Sequence, residues 1–237
     1  MIKRVNLPQG DFSGIAMLRI NALFNTYGER AELYVQETNG EITAFFGGAQ
    51  SGFSLCANDK ADFSELDGFF EFLSAEVFCE GAVAEKLAPK SKRLCNVMRL
   101  TDDLKGCSNH SKISEVYDAL KMGVDGDIEL PPFDLWYTDF CLRFNHNAAE
   151  YSLQNGAVAV CGFMTSEASL ITGVAVDGTL RGKGFGKKAV ANLVAAIKEK
   201  YKDSEIYAAS SEENKLFYEK IGFVFDFGCA VLRYGSV

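Results

Sequence analysis

The residues from Arg181 to Gly186 have the composition of an anion-binding loop. Three of these six residues are glycine, Arg181 and Lys183 are basic, and Lys187 and Lys188 follow directly. Glycine adopts positive φ angles without steric cost and lets a backbone approach a ligand closely. Because the chain has a formal net charge of -8, this local group of cations predicts a site for a small phosphorylated ligand.

The elements on either side would position this loop. An apolar run from Ile171 to Val176 precedes it and predicts a strand, and an amphipathic pattern from Lys187 to Tyr201 predicts a helix. The free N–H groups at the start of a helix, together with the helix dipole, favour a bound anion. A tight strand-to-helix connection without a ligand has the same local pattern and is the alternative interpretation.

Two common phosphate-binding loops fit the sequence poorly. A Walker A loop reads Gly-x-x-x-x-Gly-Lys-Ser/Thr, but Lys183 is followed by Gly184, so no hydroxyl is available for magnesium. The dinucleotide fingerprint Gly-x-Gly-x-x-Gly follows the first strand of a βαβ unit. Here the spacing from Gly182 to Gly186 is Gly-x-Gly-x-Gly, and the loop lies late in the chain.

The pattern Arg-x-x-Gly-x-Gly after a strand resembles the acyl-CoA binding loop of the GCN5-related N-acetyltransferases (GNAT). The resemblance extends from Val174 to Gly186, with Gly178 where the family commonly has a proline. A second stretch, Asn214 to Phe223, resembles the last helix of that family and its exit into the next strand. Many members have an asparagine at the position of Ser211, and the resemblance therefore predicts a shorter helix here.

The resemblance implies roles for individual residues, with acetyl-CoA as the co-substrate. The main-chain N–H groups of Val174 and Val176 would bind the pantetheine arm and polarise the thioester carbonyl, as fixed dipoles do in an oxyanion hole. Tyr218 would be the catalytic acid that protonates the leaving thiolate. The remaining residues implied in cofactor binding are Arg181, Gly182, Lys183, Gly184, Phe185, Gly186, Lys187 and Asn214. A metal is not expected, and the general base has no motif of its own.

The C-terminal part of the sequence predicts a complete GNAT domain. From Leu94 onward the predicted order is β, α, α, β, β, β, α, β, α, β, with a helix over 111–122 and a second one over 133–145. Asn155-Gly156 between apolar runs predicts a hairpin. We therefore predict an α/β fold with a mixed central sheet flanked by helices, and a GNAT domain over residues 91–237 after a linker at 88–93.

Residues 1–90 predict a second α/β domain. A helix over 12–24, strands at 32–37, 42–46 and 52–57, a helix over 63–74 and a strand-like run over 76–85 give the order α, β, β, β, α, β. This order echoes the elements from Phe133 onward, and so we predict a degenerate GNAT-like half. Its third strand is followed by Asn58 to Asp62 instead of a glycine-rich loop, and we expect no CoA binding there. An unrelated α/β cap is the alternative.

Composition narrows the class of partner. With 48% hydrophobic and 24% charged residues the chain can bury a core, and a pI near 4.9 argues against nucleic acid as a partner.

The sequence has no apolar run of about 18 residues and no apolar segment after Lys3 and Arg4, so neither a membrane span nor a signal peptide is expected. The seven cysteines form no Cys-x-x-Cys pair, which predicts reduced thiols in a cytoplasmic protein.

The sequence therefore supports two hypotheses of different class. The first is a transferase: an acetyl-CoA-dependent N-acetyltransferase that transfers an acetyl group to a primary amine of a small molecule, peptide or protein by direct attack. The second is a non-catalytic module that binds or senses acyl-CoA. Neither the acceptor nor the oligomeric state has a signal in the sequence.

Overall fold

The computed structural model describes residues 1–49, 52–108, 112–123 and 130–235. The chain divides into two compact units. Unit 1 comprises Met1–Val97 together with Asp226–Val237, and unit 2 comprises Met98–Phe225. Two strands, β6 (Ser91–Leu100) and β11 (Phe223–Arg233), contribute residues to both units. The division into domains 1–90 and 91–237 stays a prediction.

Unit 1 contains a mixed sheet with a helix on each face. Its elements are β1 (Ile2–Val5), α1 (Ile15–Tyr27), β2 (Glu32–Thr38), β3 (Glu41–Ala49), β4 (Gly52–Ala57), α2 (Phe63–Phe72), β5 (Glu76–Glu80) and α3 (Gly81–Ala84). Strands β2 to β4 form an antiparallel meander, β1 is antiparallel to β2, β5 is parallel to β4, and the last part of β11 is antiparallel to β5. Helix α2 packs over an aromatic core around Phe46 and Phe70, and α1 contacts β3, β4 and β5.

Unit 2 repeats this arrangement with one further helix among the described residues. Its elements are α4 (Ile113–Gly123), α5 (Phe133–Asn145), β7 (Glu150–Gln154), β8 (Ala157–Met164), β9 (Ala168–Val176), α6 (Phe185–Lys200), β10 (Glu205–Ser210) and α7 (Lys215–Lys220). Strands β7, β8 and β9 form an antiparallel meander, and β10 is parallel to β9. Alternate residues of β8 belong to two cores: Ala157 and Ala159 pack with α6 and α7, whereas Val158 and Val160 pack with α4 and α5.

The predicted order of elements is confirmed from β6 onward, and in residues 1–90 the predicted order α, β, β, β, α, β lies between two additional elements, β1 and α3. A mixed sheet flanked by helices is also confirmed. Both predicted hairpin turns have positive φ at the two central residues, 53° and 81° at Asn39-Gly40 and 51° and 73° at Asn155-Gly156. Positive φ at both positions is the property of type I′ turns, which match the twist of the strands they connect.

Several boundaries differ from the prediction. Helix α1 begins at Ile15, because Gly14 has φ 89° and forms the N-cap. The strand predicted to Glu85 ends at Glu80, and Gly81–Ala84 is helical: the amide of Glu85 donates to the carbonyl of Gly81 at 3.0 Å. Strand β6 begins at Ser91, inside the predicted linker. Strand β1 was not predicted, and Ser111, the predicted start of α4, lies outside the described residues.

Candidate functional site

Strand β9 is only partly paired with its parallel neighbour β10. The register between them runs from Ala168 opposite Glu205 to Ile171 opposite Ala208, whereas β9 continues to Val176 and β10 to Ser210. The two strands therefore separate beyond Ile171. Among the described residues, no strand pairs with the β10-facing edge of β9 along the segment that contains both Val174 and Val176, and we call this segment the open edge.

A β-bulge lies where the separation begins. In the pairing of β8 with β9, Val160 is opposite Gly173 and Cys161 is opposite Ile171, so Thr172 is an extra residue on β9. A bulge bends its strand and increases its twist, which accounts for the divergence of β9 from β10. A Cβ atom on Gly162 would lie 2.6 Å from Oγ1 of Thr172, and glycine at position 162 is therefore part of the bulge.

The loop after β9 ends at the N-terminus of α6 in a conformation that requires glycine. Gly182 has φ 75°, and Gly184, the N-cap of α6, has φ 81° in the left-handed region. A Cβ atom built on either residue would meet no atom within 4 Å among the described residues. The space in front of the helix is thus open, and the first N–H groups of an α-helix have no partner inside the helix.

The loop is held in place by its own hydrogen bonds. The carboxylate of Asp177 accepts from the amide and the hydroxyl of Thr179, at 2.8 and 2.6 Å, and these bonds hold the pKa of Asp177 below its usual value. The Nζ of Lys183 donates to the carbonyl of Thr179 at 2.9 Å. Nε of Arg181 donates to the carbonyl of Val176 at 3.4 Å, which places its guanidinium against the end of β9.

Gly186 brings three elements of the site together. A Cβ atom at this position would lie 3.2 Å from Cγ2 of Val176 on β9 and 3.3 Å from the ring of Phe217 on α7. Glycine therefore lets the first turn of α6 pack directly on both elements. Phe185 is half-buried and packs against the same core, whereas Lys187 is exposed. The structure thus brings together Val176, the loop residues and the start of α6.

Tyr218 is adjacent to this contact but lies in the core. Its side chain is 4% exposed, and its ring lies edge-on to Phe217 and Phe223 at centroid distances of 5.1 and 5.4 Å. Burial raises the pKa of the Tyr218 phenol well above its ordinary value. The hydroxyl is therefore neutral at physiological pH, and it can donate a proton or a hydrogen bond but not act as a base.

Asn214 occupies a more exposed position at the start of α7. It is the N-cap residue of a helix of six residues, and its Nδ2 donates to Oγ of Ser211 at 3.1 Å. The amide thus bonds to the position at which the asparagine commonly stands in the family. A role of Asn214 in cofactor binding stays a prediction, as do the roles of the other predicted site residues.

Sequence reasoning missed the bulge and a nearby depression. A glycine inside an apolar strand, as at Gly162, is a signal for a bulge. The depression, of about 400 Å³, lies beside the hairpin that joins β7 to β8. It is lined by Glu115, Asp118, Ala119, Met122, Leu153, Gln154, Asn155 and Gly156. The carbonyl of Gly156 accepts from the amide of Asp177 at 2.9 Å, and the depression is therefore next to the loop.

Over the described ranges, no three His, Cys, Asp or Glu side chains are grouped closely enough to hold a metal ion. Among the helices of that same part of the chain, none combines the length and the apolar character needed to cross a membrane.

Comparisons with known proteins agree with this geometry. Residues 145–225 match the model of the acetyltransferase (GNAT) domain, which covers β7 to the start of β11. Among curated proteins no sequence matches the chain. A GCN5-related N-acetyltransferase from Kribbella flavida is similar in structure, with a TM-score of 0.56 and 10% identity over 94% of this chain and 97% of that one.

Two further structures have similar folds. A GNAT-family acetyltransferase from Colwellia psychrerythraea gives a TM-score of 0.53 and 12% identity, and the match covers 98% of this chain and 99% of that one. A tandem GNAT protein from the clavulanic acid biosynthesis pathway gives 0.50 and 9%, over 87% and 84%. At these identities the likeness shows the fold, and the tandem example agrees with the repeated element order of units 1 and 2. The fold is that of the GNAT acetyltransferases, and the resemblance seen in the sequence is confirmed by the match of residues 145–225 to the GNAT domain model.

Proposed function

We propose that this protein is an acetyl-CoA-dependent N-acetyltransferase that acts on a primary amine of a small molecule or peptide. The domain match supports acyl transfer in general. The observation that carries the finer proposal is the open edge of β9 leading directly to the glycine-capped N-terminus of α6. The open edge of β9 suits an extended arm that contains amides, and the N-terminus of α6 suits a pyrophosphate.

The loop and the start of α6 are the proposed pyrophosphate site. The N–H groups from Arg181 to Gly186 would donate to phosphate oxygens, as helix N-termini commonly do. Lys187 and Lys188 lie in the first turn of α6 and are exposed, so their charge adds to the positive end of the helix dipole. The open space at Gly182 and Gly184 fits a group that must approach the backbone closely.

The open edge of β9 is the proposed site of acyl transfer. Acetyl-CoA, when bound, supplies an acetyl group activated as a thioester. Val174 and Val176 lie on the open segment, and their main-chain N–H groups would bond the pantetheine arm and stabilise the oxyanion that forms on amine attack. The new C–N bond would replace the C–S bond, the nitrogen would lose its proton to water, and the Tyr218 hydroxyl would protonate the departing sulfur and then regain a proton from water.

The acidic depression is a candidate for recognition of the acceptor. Its lining combines the carboxylates of Glu115 and Asp118 with apolar groups of Ala119, Met122 and Leu153. Carboxylates of this kind attract a cationic amine, and the apolar groups suit an aliphatic or peptide chain. The seven free thiols support a cytoplasmic location, because structural disulfides are rare there.

A non-catalytic acyl-CoA sensor is the second candidate. The burial of Tyr218 favours it, since the predicted acid is 4% exposed in the core cluster. Release of free thiol in the presence of acetyl-CoA and a broad panel of amines separates the two functions. Binding without thiol release across that panel supports the sensor.

Calorimetric titration with acetyl-CoA tests the site directly. Gly184→Glu places a carboxylate at the anion site, and we expect micromolar binding by the wild type, with one molecule per chain, to fall at least about 100-fold. Gly40→Glu is the matched control, because Gly40 has the same φ of 81° and the same open surroundings within 4 Å. Equal loss in both variants, or affinity that survives Gly184→Glu, would show that the loop is structural.

A further inference from the structure

Cys95 and Cys229 form a close thiol pair in unit 1. Their Sγ atoms lie 2.9 Å apart although the two residues are 134 positions apart in the sequence. Cys95 lies on β6 and Cys229 on β11, and these are neighbouring strands of the sheet. Because a disulfide has an S–S distance of about 2.05 Å, the two sulfur atoms need to approach by only about 0.9 Å to form a bond.

The two thiols differ in accessibility and in charge environment. Cys95 is half-buried, whereas Cys229 is 1% exposed. The hydrogen bond from Cys229 lowers the pKa of Cys95, and the positive charges of Arg93 and Arg19 act in the same direction. The same pairing, with burial, raises the pKa of Cys229. The accessible member of the pair is therefore also the one whose thiolate is stabilised, which is the property of a reactive cysteine.

The other buried cysteines have the opposite environment. Burial raises the pKa values of Cys56, Cys79 and Cys161 to about 12. Buried thiols of this kind are inert towards oxidants because they do not form the thiolate. Cys107 is exposed, and it therefore serves as the reference for reactivity that depends on exposure alone.

We propose that Cys95 and Cys229 are a reversible redox site that a small hydroperoxide oxidises to an intramolecular disulfide. The Cys95 thiolate attacks the peroxide oxygen, the O–O bond breaks, and Cys95 becomes a sulfenic acid while water or an alcohol leaves. The sulfur of Cys229 then attacks that of Cys95, the S–O bond breaks, and the thiol proton leaves with hydroxide as water. Two electrons pass from the two sulfurs to the peroxide. Two equivalents of a small thiol reverse the reaction by thiol–disulfide exchange.

Peptide mapping after oxidation tests the site on the unmodified chain. The reduced protein is treated with one equivalent of hydrogen peroxide, alkylated in denaturant and digested with trypsin. Cys95 is then the only cysteine of the peptide Leu94–Arg99, and Cys229 the only one of Ile221–Arg233. We expect these two peptides joined by a disulfide, with the Cys95 thiol lost at least about 10-fold faster than that of Cys107. Oxidation of Cys107 alone, or disulfides only between chains, would overturn the proposal.

Single substitutions then distinguish the cysteine that reacts with peroxide, Cys95, from the cysteine that closes the disulfide, Cys229. Cys229→Ala removes the resolving thiol, and we expect a sulfenic acid to persist on Cys95, where dimedone traps it. Cys95→Ala should abolish both the trapped acid and the disulfide, whereas Cys107→Ala should behave as the wild type. Dimedone on Cys229 in the wild type would reverse the assignment and contradict the proposal. Because the mapping uses the wild-type chain, a variant that fails to fold leaves the primary test intact.

Discussion

Helices α2 and α6 occupy the same place in the element order of the two units. Each follows the third strand of an antiparallel meander and leads into a strand parallel to that third strand. Their N-termini differ. The N-cap of α2 is Asp62, whose carboxylate accepts from the amide of Glu65 at 3.0 Å. The N-cap of α6 is Gly184, which has no side chain to offer.

This difference reverses the electrostatics of the two helix ends. In α2, Asp62 and Glu65 place negative charge at the positive end of the helix dipole and satisfy one of its free N–H groups. In α6 the corresponding turn contains Lys187 and Lys188, and a Cβ atom built on the N-cap Gly184 would meet no described atom within 4 Å. We expect the N-terminus of α2 to repel an added anion and the N-terminus of α6 to attract it. We therefore expect two units with a similar order of elements to differ in ligand binding through the residues of a single turn.

The helices that follow the parallel strands differ as well. In unit 1, α3 consists of Gly81–Ala84 and has no phenol, whereas α7 of unit 2 contains Tyr218. Unit 1 thus has neither the open anion site nor the acid that the proposed reaction uses. We therefore expect unit 2 alone to bind acetyl-CoA, and the predictions below test this asymmetry.

The largest expected effect is on turnover and comes from removing the hydroxyl of Tyr218. Tyr218→Phe removes only the hydroxyl, and we expect turnover, measured by thiol release, to fall about 100-fold because general acid catalysis is commonly worth this factor. Affinity for acetyl-CoA, measured by calorimetry, should change less than about 3-fold. Tyr201→Phe is the control, because its hydroxyl bonds only weakly, at 3.4 Å, to the carbonyl of Asn147. Unchanged turnover in Tyr218→Phe would remove Tyr218 from the mechanism.

A smaller effect should come from charge at the start of α6. Lys187→Glu puts negative charge where we place the pyrophosphate, and we expect affinity for acetyl-CoA to fall about 10-fold, less so at high salt, because exposed charges are screened. Lys202→Glu makes the same change in charge beyond the other end of α6 and should leave affinity within about 2-fold. Equal losses in both variants would mean that net charge, not the helix end, governs binding.

The N-cap of α2 should contribute to the stability of the fold but not to the affinity for acetyl-CoA. Asp62→Ala removes the N-cap acceptor, and we expect the free energy of unfolding to fall by about 1 kcal/mol, as measured by urea denaturation. Asp59→Ala, which removes an exposed partner of Lys86, should leave the free energy of unfolding unchanged within error, because exposed ion pairs add little. Calorimetry with acetyl-CoA should give the wild-type affinity for Asp62→Ala. A lower affinity would place a ligand at α2 and contradict the asymmetry.

Much of this comparison was predictable from local sequence. The turns at Asn39-Gly40 and Asn155-Gly156, the order of elements and the glycine-rich entry to α6 all depend on residues close together in the chain. Short-range rules for positive φ and for helix starts therefore suffice. The stretch Asn58 to Asp62 has no glycine-rich loop, and the absence of CoA binding in unit 1 stays a prediction.

Features that depend on pairing between distant segments were not predictable. The bulge at Thr172 arises from the register of β9 against β8, and the local sequence does not determine how two strands are aligned. Helix α3 was predicted as strand because Gly81 to Ala84 is too short to show a helical period. The burial of Tyr218 and the approach of Cys95 to Cys229 likewise require the assembled sheet.

The two units also differ in how they hold a buried tyrosine. Tyr218 of unit 2 is shielded by burial, whereas the hydroxyl of Tyr234 in unit 1 donates to Oδ1 of Asp67 at 2.6 Å. Burial raises the pKa of both phenols, and for Tyr234 the hydrogen bond to Asp67 adds to it. A pKa that is higher in the folded than in the unfolded chain stabilises the protein fully below the unfolded value, about 10 for tyrosine, and this contribution is lost as pH rises above it.

The two tyrosines should therefore affect the free energy of unfolding alike in alkaline solution but differently at neutral pH. Above pH 10 each phenol contributes a loss of about 1.4 kcal/mol per pH unit to the free energy of unfolding, and Tyr218→Phe and Tyr234→Phe should each flatten that slope in urea denaturation. At neutral pH only Tyr234→Phe should destabilise, by about 1–2 kcal/mol, because it removes a hydrogen bond to a charged group. An unchanged alkaline slope in Tyr218→Phe would mean that its hydroxyl reaches water in the free protein. In that case the site in unit 2 would already be open before the cofactor binds.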